Sequence, residues 1–150
     1  MLELIIVVLV MALVLAVSYP SLSRGSASIH LRSTARDVLN TFRFAREKAV
    51  TEQVGMKVMV DRQKQQLVLT DDLGDGSRTY DMPKDVKIQR MALAGTEITE
   101  GPLTIRFLPN GSSESAEILL ESDSGATLRI VSDPITGGAR IETGSGENTR

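Results

Sequence analysis

The hydrophobic and polar positions divide the chain into an apolar start, an amphipathic middle and an alternating second half. Residues 4–17 are entirely apolar, without a polar atom on any side chain. With its flanking residues this stretch spans about 28 Å as a helix, close to the roughly 30 Å of a bilayer's hydrocarbon core. The pattern therefore predicts that residues 1–20 form a membrane-spanning helix.

Two other interpretations of this segment fit less well. A signal peptide should begin with basic residues, whereas this chain has the acid Glu3 there. A buried core helix would need a domain large enough to enclose a segment that is apolar on every face. Glu3 is informative because a carboxylate in a bilayer is costly and usually has a partner. The first twenty residues contain no Lys or Arg, so that partner would be an N-terminal amine or a neighbouring chain, unless Glu3 is solvated at the headgroup level.

From Ile29 to Glu52 the apolar side chains recur every three or four residues, as on one face of a helix. This spacing predicts that residues 21–53 continue the same helix and pack an apolar stripe on a sheet. Pro20 cannot donate a backbone hydrogen bond, so we expect a helix kink there. Arg43 and Glu47, four residues apart, are expected to pair. The stripe consists of Ala35, Val38, Leu39, Phe42, Ala45 and Ala49.

Arginines line the part of this helix that faces away from the stripe. They form either a solvated face, a contact with neighbouring subunits, or a surface for acids or DNA. Few aromatic residues are interleaved with them, which favours the first two interpretations. These arginines are Arg24, Arg32, Arg36 and Arg43.

Beyond Val54 the period of the pattern changes to two. Seven short segments alternate apolar and polar residues, as half-buried antiparallel strands do, with glycine-containing turns between them. The pattern predicts an α+β protein whose long helix packs on a head of two antiparallel β-sheets, residues 54–142. The Gly-rich residues 143–150 are expected to be disordered. The predicted strands are centred on residues 56–60, 67–69, 86–88, 103–107, 116–120, 128–131 and 139–141.

The composition of the chain limits the kinds of binding and catalytic site that it can form. The 150 residues include 17 basic and 19 acidic ones, a net charge of −2 that gives no general attraction to nucleic acid. There is no Cys, and His30 is the only His, which excludes thiolate metal sites and catalytic His pairs or triads. Residues 71–76, DDLGDG, lack the spacing of an EF-hand and are interpreted as a polar turn. We therefore expect neither an enzyme nor a cofactor or metal site.

The first twenty residues resemble the start of type IV pilins and type II secretion pseudopilins. In that class a cleaved leader and a Phe-Thr-type pair precede two apolar residues, a glutamate and a long apolar helix. Met1-Leu2, Glu3 and residues 4–17 match the last three, and Pro20 matches the usual helix-kinking proline. The resemblance implies that Glu3 serves subunit assembly, and that prepilin peptidase cleavage and N-methylation occur two residues upstream of Met1.

The head resembles the GspH/FimT group within this class. Phe107, Pro109, Gly111 and Ser112 fit the group's Phe-x-Pro-x-Gly-Ser signature, and residues 137–141 resemble its C-terminus. GspH-like members are minor pseudopilins of type II secretion systems, whereas FimT-like members are minor pilins of type IV pili, some of which bind DNA through a Gly-Arg-x-Arg motif. Here Gly138 replaces the first arginine of that motif, which leaves Arg140 as the candidate DNA contact. This change, with the lack of Cys for the FimT disulfide, favours secretion.

The resemblance implies a structural subunit near the tip of a periplasmic pseudopilus, which supports protein secretion across the outer membrane. The alternative is a FimT-like minor pilin acting in pilus biogenesis or DNA uptake. The implied partners are other pseudopilins and the inner-membrane assembly platform, and nucleic acid is not expected. The implied location is the bacterial inner membrane, crossed once, with the head in the periplasm.

Overall fold

The computed structural model describes residues 2–74 and 76–143, of which residue 2 and residues 15–26 are described by their backbone alone. One long helix, α1 (Leu2–Glu52), precedes nine strands in this part of the chain. The strands are β1 (Met56–Asp61), β2 (Gln66–Asp71), β3 (Arg78–Asp81), β4 (Val86–Leu93), β5 (Thr96–Glu97), β6 (Leu103–Phe107), β7 (Ala116–Ser122), β8 (Thr127–Ser132) and β9 (Ala139–Thr143).

The strands form two antiparallel sheets. Sheet I has the order β3-β2-β1-β6, and sheet II has the order β5-β4-β7-β8-β9. Helix α1 contacts strands of both sheets. The structure confirms the predicted α+β fold, and all seven predicted strands are present. Two further strands, β3 and β5, were not predicted, because every side chain of β3 is exposed and β5 has only two residues, so neither shows an alternating pattern.

The first half of α1 was predicted to cross a membrane. Within the described residues, no helix has an apolar stretch long enough to span a bilayer. The helix is continuous through Pro20, so that proline does not end it. The bend expected at Pro20 stays a prediction.

The second half of α1 packs as its periodicity predicted. All six residues of the apolar stripe are buried, and Ala27 and Leu31 extend the stripe towards the N-terminus. Three of the six are alanines, whose small side chains let the helix backbone approach the sheets. Thr41 is buried on the same face, where its hydroxyl donates to the Asp37 carbonyl oxygen at 2.9 Å. The ring centroids of Phe42 and Phe107 lie 5.8 Å apart, a contact that joins the helix to sheet I.

The core lies between the helix and the inner faces of the sheets. Alternating positions of β1, β6 and β7 point into it, as their burial shows. In β4 the buried positions are Val86, Ile88 and Met91, because the pairing with β7 shifts register between Ile88 and Arg90. This β-bulge returns Met91 to the core.

The last predicted region falls partly outside the described residues. Thr143, the first residue of the expected disordered tail, ends β9 and pairs with Leu128. Residues 144–150 lie outside the described part of the chain, as does Asp75 of the predicted polar turn.

Candidate functional site

The N-terminal half of α1 presents an uncovered apolar surface. The large hydrophobic side chains of residues 4–14 are between 48% and 67% exposed. Glu3 is exposed at the start of this surface. The first basic residue of the sequence, Arg24, is about 31 Å further along the helix at about 1.5 Å per residue. An ion pair of Glu3 with a Lys or Arg of the same helix is therefore out of reach.

The predicted head motif forms a tight turn after β6. Phe107 is buried at the end of the strand. The turn is closed by two backbone hydrogen bonds of 2.9 Å, from the Gly111 N–H to the Leu108 carbonyl and from the Leu108 N–H to the Ser112 carbonyl. Gly111 has a φ of 86°, a left-handed conformation in which glycine avoids steric strain. The motif therefore has a structural role: it anchors an aromatic ring in the core and reverses the chain.

Asn110 completes this turn with its side chain. Its Oδ1 accepts hydrogen bonds from the backbone N–H of Ser112 at 3.0 Å and from the Ser112 hydroxyl at 2.7 Å. Of the four motif residues, Phe107 and Gly111 are buried, and Pro109 and Ser112 are partly exposed. The signature positions thus lie together in one turn.

A contact between three distant segments lies beside this turn. Arg46 of α1 donates from Nε to the Gly111 carbonyl oxygen at 3.1 Å. Gly137, in the β8–β9 loop, packs so closely that a Cβ there would overlap the same carbonyl oxygen and lie 3.0 Å from Arg46 Cδ and Nε. The motif pattern in the sequence includes both glycines but gives no indication of Arg46, because an arginine on an exposed helix face carries no signal of its distant partner.

Asp133 shapes the loop that carries Gly137. Its carboxylate accepts hydrogen bonds from the Ile135 N–H at 2.9 Å and from the Thr136 hydroxyl at 3.0 Å. Its backbone carbonyl accepts a bond from the Gly137 N–H at 2.9 Å. The hydrogen bond from Ile135, followed by that from Thr136, lowers the pKa of the Asp133 carboxyl.

Arg140, the candidate DNA contact, is engaged by a carboxylate. Its Nε donates to Glu142 Oε1 at 2.7 Å, and Arg129 lies 3.2 Å from the other oxygen of Glu142. The hydrogen bond from Arg140 lowers the pKa of Glu142, with added Coulombic attraction from both arginines. A phosphate would have to compete with this carboxylate for the exposed guanidinium.

Asp72 of the predicted polar turn and Asp85 of the β3–β4 loop also have basic partners. Asp72 lies 2.8 Å from Lys57 and 3.6 Å from Arg106. The hydrogen bond from Lys57 is the main cause of the lowered pKa of Asp72. The lone histidine, His30, contacts Asp85 and lowers the pKa of that carboxyl. These pairs connect β1 to the β2–β3 loop and α1 to the β3–β4 loop, and hence hold segments together.

A family model described as type II transport protein GspH matches residues 34–137, which include Arg46, Gly111 and Gly137. A search of curated protein sequences found no match. Two solved structures of the minor pseudopilin EpsH from the type II secretion system of Vibrio cholerae superimpose with a TM-score of 0.62 at 12% identity. They cover 79% of this chain and 98% and 97% of their own, a likeness that shows the fold.

Proposed function

Because the chain belongs to the GspH family of type II transport proteins, we propose that it is a structural subunit near the tip of a periplasmic pseudopilus. The family match carries this proposal, since it spans more than half of the chain. It also confirms the sequence-based prediction of a minor pseudopilin of the type II secretion system. As such the chain associates with other pseudopilins, and its head is periplasmic.

The N-terminal half of α1 is proposed to anchor the subunit in the inner membrane in a single pass. Its exposed apolar side chains support this proposal, because such a surface is stable only when lipid or other apolar helices cover it. Glu3 then lies among apolar surroundings without a cation of its own helix within reach. We propose that a group on a neighbouring subunit neutralises Glu3 during polymerisation on the assembly platform.

A structural role, without catalysis, is part of this proposal. The chemistry-bearing side chains that the structure brings together are ion pairs between neighbouring segments, such as Lys57 with Asp72 and Arg129 with Glu142. His30 pairs with the Asp85 carboxylate, and this pair lies outside the head motif. The motif positions themselves serve the turn after β6.

The type IV pilus alternative rests on DNA binding by the C-terminal region. The pairing of Arg140 with Glu142 favours the secretion role, because one guanidinium held by a carboxylate neutralises phosphate poorly. A gel shift of the purified chain with duplex DNA at low salt tests the alternative. Clear micromolar binding that Arg140→Ala reduces would favour the pilus role.

Deletion of the gene in its own bacterium tests the secretion role directly. We expect the normally secreted enzymes to accumulate in the periplasm, and secretion to return when the intact chain is supplied. Measuring their activity in the medium and in the periplasmic fraction distinguishes blocked export from lowered expression. Normal secretion by the deletion strain would contradict the proposed function.

A further inference from the structure

Three arginines form a stripe on the outward face of α1. Arg32, Arg36 and Arg43 are all exposed. In a helix of 3.6 residues per turn they fall within about 40° of one another, over about 17 Å of the axis. We call these three residues the arginine stripe.

The arginine stripe differs from the other arginines whose side chains the structure describes. Those others each have an intramolecular partner: a carboxylate for Arg90, Arg106, Arg129 and Arg140, a backbone carbonyl for Arg46 and Arg62, and the ring of Phe44 for Arg78. Over the described residues, the stripe arginines have no such partner.

The sequence prediction that Arg43 pairs with Glu47 is wrong. The corresponding pair on this helix is instead Lys48 with Glu52, at 3.6 Å. Arg43 therefore keeps its guanidinium free for a partner outside the subunit. Exposed apolar side chains, Ile29 and Val50, lie on the same face at either end of the stripe.

This surface fits a protein better than a lipid or a nucleic acid. If residues 1–20 cross the bilayer, Arg36 lies about 24 Å and Arg43 about 35 Å beyond Pro20, far outside a Debye length of about 8 Å at physiological ionic strength. Lipid headgroups could not neutralise them. Glu47 on the same face would repel phosphates, and the ring of Phe44 on this helix already has a cationic partner, because the Arg78 guanidinium carbon lies 5.6 Å from its centroid.

We propose that the arginine stripe docks an acidic surface of a neighbouring pseudopilin, whose carboxylates pair with Arg32, Arg36 and Arg43 while apolar side chains cover Ile29 and Val50. This inference rests on the proposed function, which supplies neighbouring pseudopilins. Charge complementarity of this kind selects the partner and the register of the contact. It gives the exposed half of α1 a part in assembly that is separate from that of Glu3.

Co-purification of the full chain with the pseudopilins of its own secretion system tests the stripe. The stripe variant is Arg32→Gln/Arg36→Gln/Arg43→Gln. A charge-matched control is Lys64→Gln/Lys84→Gln/Lys87→Gln, because these lysines are exposed on the head and only Lys87 has an ion pair, a loose one with Asp123 at 3.5 Å. Thermal unfolding of each full-length variant in detergent verifies that folding is kept.

We expect the stripe variant to bind the neighbouring pseudopilin with about tenfold lower affinity, because it lacks three exposed ion pairs. The control should keep the wild-type affinity. Raising the salt from about 50 to about 500 mM should lower the affinity of the wild type towards that of the stripe variant, because salt screens the ion pairs. Equal association of wild type and stripe variant would overturn the docking role of the arginine stripe and leave the proposed function intact. Failure of the wild type to bind any pseudopilin would overturn the proposed function as well.

A charge swap identifies the partner surface. A photo-crosslinker at Asn40, exposed beside the stripe, should capture an acidic segment of one pseudopilin. Arg36→Glu should then weaken the association through like-charge repulsion, and Glu→Lys in the captured segment should restore it. Capture of a second copy of this chain by the crosslinker would overturn the proposal. So would a stripe variant that loses binding to anionic vesicles or to DNA but still binds pseudopilins.

Discussion

Arg46 on α1 donates a hydrogen bond to the backbone carbonyl of Gly111, 65 residues away in the chain. This bond connects the helix with the turn that carries the family's head motif. The loop holding Gly137 closes over the same carbonyl. The head therefore docks on the helix at a point where a helix side chain meets two loops, in addition to the apolar stripe.

Replacing Arg46 by methionine tests this connection. The variant keeps much of the apolar stem but leaves the buried Gly111 carbonyl without its donor. We expect a loss of about 1 kcal/mol in the free energy of unfolding, measured by denaturant titration of the full chain in detergent. Arg43→Met, which removes an arginine without an intramolecular partner, should change stability by less than about 0.5 kcal/mol. Equal effects of the two variants would contradict a role for the Arg46 bond.

Gly137→Ala should be far more damaging. Gly137 has a φ of 63°, and an added Cβ would overlap the Gly111 carbonyl oxygen. Strain and overlap together should cost about 3 kcal/mol or more. Gly125→Ala is the matched control, because Gly125 has a φ of 80° with nothing within 4 Å of the added methyl group. It should cost about 1 kcal/mol. A similar cost at both positions would show that the loops do not meet as described.

Acid should destabilise the head. Four carboxyls have pKa values lowered by their hydrogen bonds in the folded chain. Each stabilises the fold above its unfolded pKa, near 4, and this contribution is lost as the pH falls through the lower folded pKa. The residues are Asp72, Asp85, Asp133 and Glu142.

The urea concentration at the unfolding midpoint of the full chain should therefore decrease as the pH is lowered from about 5 to about 2. Asp72→Asn should lower the midpoint at pH 6 and reduce the loss on acidification, because Lys57 no longer has a carboxylate to pair with. A midpoint that stays constant or rises on acidification would contradict these pairings.

The amphipathic half of α1 and seven strands could be predicted because burial imposes a period on the sequence. Val58 and Val60 show period two, and Ala35, Phe42 and Ala49 show the helical period. Strand β3 escaped prediction because its side chains are exposed and hydrogen bonding to β2 alone defines it.

Contacts between distant segments could not be predicted in the same way. Arg46 and Gly111 are 65 residues apart in the sequence and meet only through the tertiary fold, and nothing local distinguishes Arg46 from Arg43. The pair expected between Arg43 and Glu47 satisfies the helical spacing, yet the rotamers of exposed side chains are not fixed by spacing alone. Glu3 was singled out by its apolar neighbours, and its role in assembly stays a prediction.

Incorporation of Glu3→Ala into the pseudopilus is the most direct measurement of whether this chain works as an assembly subunit. In the deletion strain, wild type and variant should reach equal amounts in the membrane, because the rest of the apolar helix is unchanged. We expect the wild type to crosslink into pseudopili and Glu3→Ala to do so at a small fraction of that level, with Glu97→Ala, on the exposed strand β5, unaffected. Equal incorporation of Glu3→Ala and wild type would contradict a role for Glu3 in polymerisation.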